Sequence, residues 1–344
     1  MKIRTKFAAR RAVLTALAGA ALSLSAGPVL ADEMDVKIGF YPGAVFHLPH
    51  YIAEAKGFYK EAGLKPTFLP VASGPVMNSQ MGSGAIDFGF QPPSNVGLAR
   101  EQGMEQVFLV GNVTMPWVLI ARKDLKLPNL GKYPEVMADL KGLNWGVYGR
   151  GSDGEVFMRV MAGDAKLDVD KDMAWIAVGG PATGLPALRA NRVDVYMTIA
   201  PAPTVATSLG YATTILDLRK GEGPGDFKGI HYNALVTLRK TAQTKPKAIA
   251  AMTAATIKAH CWMRKPENLT ELMTIAKARL PVAELSEKDF SDMIRENLPT
   301  FTPTMPAEHF KVWNEMLLRA KILKQPVPPE ETRWNTIPAV EPTC

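Results

Sequence analysis

The sequence predicts an α/β fold: two lobes built on one plan, with mostly parallel strands, followed by a helical C-terminal part. Three observations carry this. Strand-like and helix-like runs alternate with short connections between residues 36 and 111. The alternation restarts at Leu143 after a Pro- and Lys-rich loop that ends at Pro134. The two stretches also echo each other. Gly74-Pro75 leads to Asp87, thirteen residues after Gly74, and Gly180-Pro181 leads to Asp194, fourteen residues after Gly180. Each unit reads strand, Gly-Pro turn, helix, strand, and each ends shortly before a proline, Pro92 or Pro201.

Strands are expected at 36–40, 65–71, 86–90 and 106–111, with helices at 50–61, 75–83 and 96–102. An extended run at 117–122 follows. The second series places strands at 143–148, 173–178, 193–198 and 214–218, and helices at 155–162 and 185–190. A second extended run covers 233–239. Helices are expected at 246–264, 267–279, 286–297 and 306–322, before a Pro-rich tail.

Composition excludes several classes. The chain has 344 residues, 47% hydrophobic and 21% charged, which is ordinary globular composition. Its formal charge of +7 invites a nucleic-acid reading. Five of the basic residues, Lys2, Arg4, Lys6, Arg10 and Arg11, precede an apolar run from Ala12 to Leu24, and Val29-Leu30-Ala31 closes the segment. This is the layout of a secretory signal peptide over 1–31. Arg10-Arg11 partly matches a twin-arginine signal, and no cysteine near the cut offers a lipid attachment site. Without residues 1–31 the basic count falls from 40 to 35 against 33 acids, a net +2, and the nucleic-acid argument loses its support.

Cys261 and Cys344 both lie beyond the leader. In an oxidising compartment they could pair and pin the tail to the helix carrying Cys261. The alternative is a buried thiol and a frayed terminus. Spacing alone leaves both open.

Several runs look familiar together: Gly39-Phe40-Tyr41, Tyr51 to Tyr59, Glu61-Ala62-Gly63-Leu64, Ser73-Gly74, Gly82 to Gly89, Asp139 to Gly142 and the Gly149 to Ser152 turn. In their order and spacing they resemble the nitrate/sulfonate/taurine family of periplasmic solute-binding proteins of ABC importers. That superfamily also holds binders of thiamine-pyrimidine precursors. The resemblance covers about residues 35 to 240. It implies a type II periplasmic-binding-protein fold with a ligand cleft between the lobes, residues 32–120 and 237–344 forming the first lobe and 121–236 the second. It further implies a periplasmic monomer that takes a small organic anion (a sulfonate, a taurine-like molecule or an aromatic carboxylate) by lobe closure and passes it to membrane permease subunits, with no cofactor. A neutral pyrimidine is the alternative ligand. Fungal members that synthesise a pyrimidine precursor rely on a Cys-rich motif that two separated cysteines do not supply. No G-x-S-x-G, H-E-x-x-H or P-loop is present either, so a binding protein and not an enzyme is expected.

In an open α/β sheet, ligands lie beyond the carboxyl ends of the strands. This selects Tyr41, Phe46 and His47 after the first strand, Ser73 and Gly74, Gln91 and Pro92, Asn112 and Thr114, Arg150, Gly151 and Ser152, Gly180 and Pro181, and Pro201. Helix N-termini at several of these loops favour an anion, and Arg150 could add a charged hydrogen bond. The run from Gly149 to Gly154 fits G-x-G-x-x-G, but the next strand ends at Val178-Gly179-Gly180 without the acid that holds a ribose. His47 and His50 lack a third metal ligand nearby, and no metal site is expected. Asp87 and Asp194, each opening an apolar strand, read as partners of nearby backbone.

Overall fold

The structure is a computed structural model that describes residues 33–344; the expected signal peptide lies outside the described residues. Among the described residues, ten strands form two sheets of five. The first four are β1 (Met34–Phe40), β2 (Leu64–Pro70), β3 (Phe88–Gln91) and β4 (Gln106–Thr114). The chain then crosses to β5 (Trp117–Arg122), β6 (Asn144–Val147), β7 (Ala174–Ala177), β8 (Val195–Ile199) and β9 (Ala212–Asp217), and returns as β10 (His231–Leu238). The orders are β2-β1-β3-β10-β4 and β7-β6-β8-β5-β9.

The two sheets repeat one plan. In each, two parallel pairs surround the first strand of the set: β1 pairs with β2 and β3, and β6 with β7 and β8. In each, one strand runs antiparallel between two others: β10 between β3 and β4, and β5 between β8 and β9. These are the two extended runs. Each belongs wholly to the sheet the chain has just entered, so the changes of sheet fall at 115–116 and 218–230. The expected boundaries at 121 and 237 cut through β5 and β10 and stand several residues late. An unbroken apolar run such as 117–122 cannot be divided by pattern, whereas its ladder hydrogen bonds assign it to one sheet.

The echoed aspartates do the same work in both sheets. Asp87 Oδ2 accepts the Lys37 N–H at 2.9 Å, and the Asp87 N–H donates to Lys37 O at 2.9 Å. Asp194 Oδ2 accepts the Asn144 N–H at 2.8 Å, and the Asp194 N–H donates to Asn144 O at 2.8 Å. Each carboxylate closes a strand start that would otherwise leave a donor unpaired.

Several helices depart from expectation, and two of these bear on the cleft. The run expected over 50–61 is two helices, Leu48–Ala55 and Phe58–Glu61, because Gly57 takes a left-handed φ of 72°. A helix at Ala202–Ser208, absent from the sequence reading, begins after Pro201. Its Thr- and Pro-containing sequence is a weak helix former, and burial of Val205 and Ala206 against β9 and β8 holds it. The helix Pro246–Met263 packs on Leu48–Ala55 and β4 of the first lobe, whereas Glu287–Asn297 touches Ala202–Ser208 of the second.

The tail closes the structure. Residues 301–303 and 333–336 run along β4. The Gly111 N–H donates to Pro303 O at 2.8 Å, the Trp334 N–H to Phe108 O at 2.9 Å, and the Thr336 hydroxyl to Leu109 O at 2.9 Å. A disulfide joins Cys344 to Cys261 in the helix Pro246–Met263, with the Cα atoms 5.1 Å apart. Among the described residues no helix is long and apolar enough to cross a membrane.

Candidate functional site

A small cavity lies where the carboxyl ends of the parallel strands of both sheets face each other. The first lobe and β10 contribute Tyr41, Phe46, Ser73, Gly74, Phe90, Pro92, Tyr232 and Asn233. The second contributes Trp117, Tyr148, Ser152, Asp153 and Ile199. About 20 Å³ of open space remains, room for little more than one water molecule. The walls are largely aromatic. Trp117 meets Tyr148 edge-on at 5.3 Å between centroids and Tyr232 at 5.9 Å, and its indole nitrogen is buried without a hydrogen-bond partner. Tyr41 packs edge-on against Phe46 at 5.9 Å. Burial raises the hydroxyl pKa of Tyr41, Tyr148 and Tyr232 far above the ordinary value, so all three stay neutral.

Asp153 is the one ionisable side chain in these walls besides the tyrosines. It is the first residue of the helix Asp153–Asp164, and its carboxylate reaches across the cleft to the start of the helix Pro93–Glu101. There it accepts from the Ser94 hydroxyl and from Asn95 Nδ2 at 3.2 Å, and Tyr232 donates to it at 3.0 Å. Burial pushes its pKa up to about 6, and the hydrogen bonds from Ser94 and Tyr232 hold it from rising further. Gly74 permits the approach of the helix Pro93–Glu101: a Cβ there would lie 2.0 Å from Asn95 Nδ2.

Of the residues selected from sequence, Tyr41, Phe46, Ser73, Gly74, Pro92 and Ser152 line this cavity. The others stand behind it or away from it. His47 is fully buried, and its Nε2 accepts the Tyr41 N–H at 2.9 Å, which fixes the loop carrying Tyr41. Gln91 donates to Gly74 O at 3.1 Å and to Asn78 Oδ1 at 2.7 Å. Asn112 donates to Phe46 O at 3.0 Å and to Asn233 Oδ1 at 3.1 Å. Thr114 lies against Thr300. Gly180 backs the Tyr148 ring, Pro181 starts the helix Pro181–Arg189, and Pro201 precedes the helix Ala202–Ser208.

Arg150 is the main correction. It does not point a free cation into the cleft. Its side chain is 56% exposed and forms a two-point ion pair with Glu155, at 2.9 and 3.0 Å. Glu155 also accepts the Gly151 N–H at 2.9 Å and Arg159 Nε at 2.8 Å. The turn is therefore closed on itself by a carboxylate five residues downstream of Arg150, the role an outside anion would have filled.

Sequence reasoning missed Phe90, Trp117, Tyr148, Asp153, Ile199, Tyr232 and Asn233. Five of them are strand residues, and four of those, Phe90, Trp117, Ile199 and Tyr232, are indistinguishable in sequence from core. Asp153 carried a usable signal: an acid inside a strand-to-helix turn whose other members are Gly, Arg and Ser. An acid there is ordinary at a helix N-terminus, which makes the signal weak by itself.

Comparison with known proteins adds three findings. A family model described as the NMT1-like family matches residues 31–277. A Brucella abortus protein named as a binding protein is 28% identical over 174 residues, 51% of this chain and 50% of that protein; the chain spans about half the length of the curated relatives it matches. Solved structures share the architecture. The alkanesulfonate-binding protein SsuA from Xanthomonas axonopodis, bound to MOPS, aligns with a TM-score of 0.70 at 16% identity over 88% of this chain and 99% of that one. The nitrate-binding protein NrtA from Synechocystis aligns with a TM-score of 0.66 at 18% identity over 85% and 82%. The fold is that of the periplasmic binding proteins, with two five-stranded sheets. By the span of its sequence match, the chain belongs to the NMT1-like family.

Proposed function

We propose that the protein is the extracytoplasmic ligand-binding component of an ABC importer, exported by its N-terminal leader. It captures a small organic molecule between its lobes and presents it to permease subunits. One observation carries this reading: both sheets turn the carboxyl ends of their parallel strands toward one aromatic cavity, and neither lobe encloses it alone. A ligand enters when the lobes part, since the closed cavity leaves no room for one, and closure buries it. The named neighbours bind an alkanesulfonate or nitrate, and the shared fold supports the transport role.

The ligand class is a separate matter. A sulfonate, a taurine-like molecule or an aromatic carboxylate would be favoured by a cationic seat, and the cavity walls hold no Lys, Arg or His; their donors, the unpaired Trp117 indole N–H among them, are neutral. The aromatic walls favour the other reading, a flat and uncharged or cationic molecule such as a pyrimidine. The test is mass spectrometry of whatever denaturation releases from the purified chain. Titration of the refolded chain with that molecule, and with sulfonates, aromatic carboxylates, nitrate and pyrimidines, follows. One-to-one binding with a rise in Tm is expected for one class. No released molecule and no shift with any class would sink the proposal.

A further inference from the structure

The cleft holds a negative charge with no positive partner. Asp153 is 5% exposed, and its three side-chain partners, Ser94, Asn95 and Tyr232, are neutral. Neutral donors and helix N-termini solvate a carboxylate but leave its charge in place, and a buried charge without a cationic counter-ion is costly to the fold. Nearby cations are engaged elsewhere: Arg150 and Arg159 both bind Glu155.

The position of the carboxylate matters as much as its charge. Helix N-termini attract anions because their first N–H groups are unpaired and the helix dipole adds positive potential. Two such termini meet in this cleft, those of Pro93–Glu101 and Asp153–Asp164. The Asp153 carboxylate belongs to the first turn of one and lies on Ser94 and Asn95 in the first turn of the other. The seat that an incoming anion would take is occupied by the protein itself.

We propose that Asp153 selects the charge of the ligand, and that the ligand presents a protonated amine or amidine to this carboxylate while its apolar body lies among Trp117, Tyr148 and Tyr232. The inference rests on the capture role proposed above. A cationic nitrogen supplies the missing counter-charge and finds aromatic faces suited to it. An anion placed in the same cavity meets a like charge in a water-poor site, an arrangement that disfavours it strongly. A carboxylate that served only to bridge the two halves would influence stability and leave ligand charge preference unchanged.

The test uses the full chain, unfolded and refolded to clear bound molecules, and a series matched in body and different in charge: benzylamine, benzamidine, benzyl alcohol, benzoate and benzenesulfonate. Calorimetry should show the cationic members binding about tenfold or more tighter than the anionic ones. In Asp153→Asn that preference should vanish, with benzyl alcohol affected least. Anions binding as tightly as cations, or an unchanged preference in Asp153→Asn, would overturn the role of Asp153 and leave the capture role standing. If Asp153→Asn does not fold, the parent series and the charge of the molecule released from the isolated chain decide the matter, and a released anion refutes the inference. Silence from the whole series with no released molecule instead removes the capture role.

Discussion

Acidification should destabilise this protein through its buried imidazoles. Burial pushes His50 and His260 down to about 3. His231 falls to about 4, through burial and then the neighbouring His309. In the unfolded chain each returns to about 6.5. Below that value the unfolded chain binds protons that the folded chain refuses, so stability is lost as pH falls from about 6.5 toward the folded values. At pH 5 each of the three costs about 2 kcal/mol relative to neutral solution, about 6 kcal/mol in all. His47, also held well below its ordinary value by burial, acts in the same direction. Asp153 opposes them. Its folded value of about 6 lies above its unfolded one, so it stabilises the fold as pH falls from about 6 toward 3.8. At pH 5 it returns about 1.4 kcal/mol. The net loss between pH 7 and pH 5 is about 4 to 5 kcal/mol, a large part of the roughly 5–15 kcal/mol that holds a typical domain together. Urea unfolding followed by tryptophan fluorescence at the two pH values measures it. A midpoint at pH 5 equal to or above that at pH 7 refutes the reasoning. His260→Leu locates the effect: both its ring nitrogens are buried without partners, and its removal should reduce the loss by about 2 kcal/mol.

Three further outcomes are expected. Cys344→Ser opens a loop spanning 83 residues and should lower stability by up to about 4.5 kcal/mol on loop entropy, read as a lower urea midpoint than the oxidised parent. Gly111→Ala should cost about 3 kcal/mol or more, or prevent accumulation of soluble protein, because its Cβ would lie 1.7 Å from the Thr304 carbonyl oxygen. Arg150→Ala should leave ligand affinity within about twofold, since the side chain points to Glu155 and away from the cavity; Arg159 and the Gly151 N–H still hold the buried Glu155 carboxylate, so the loss of stability should stay near about 1 kcal/mol.

The architecture was legible because its signals are local and repeated. Short strands, Gly-Pro turns and helices come in sequence order, and the Asp87 and Asp194 positions repeat so closely that their backbone partners, Lys37 and Asn144, each stand fifty residues upstream. Half of the cavity was legible for a different reason: Tyr41, Ser73, Gly74, Pro92 and Ser152 sit in loops at strand ends, where topology places ligands. The rest depends on contacts that chain order hides. Trp117, Tyr148 and Tyr232 are aromatic residues at or beside strand ends, and packing explains such residues as readily as binding. The bond from Ser94 to Asp153 joins residues 59 positions apart in different lobes. Arg150 misled because a lone Arg in a Gly-rich turn suggests an anion, although Glu155 was already visible downstream as its partner.

The tail has a consequence for how the protein fails. By strand order β4 is the last strand of the first sheet and should present a free row of N–H and C=O groups, a template for edge-to-edge aggregation. Residues 301–303 and 333–336 cover that row, and the bond between Cys344 and Cys261 keeps the end of the covering chain in place. Reduction therefore threatens the first sheet from its margin. Self-association of the reduced protein along β4 is the characteristic damage this arrangement guards against.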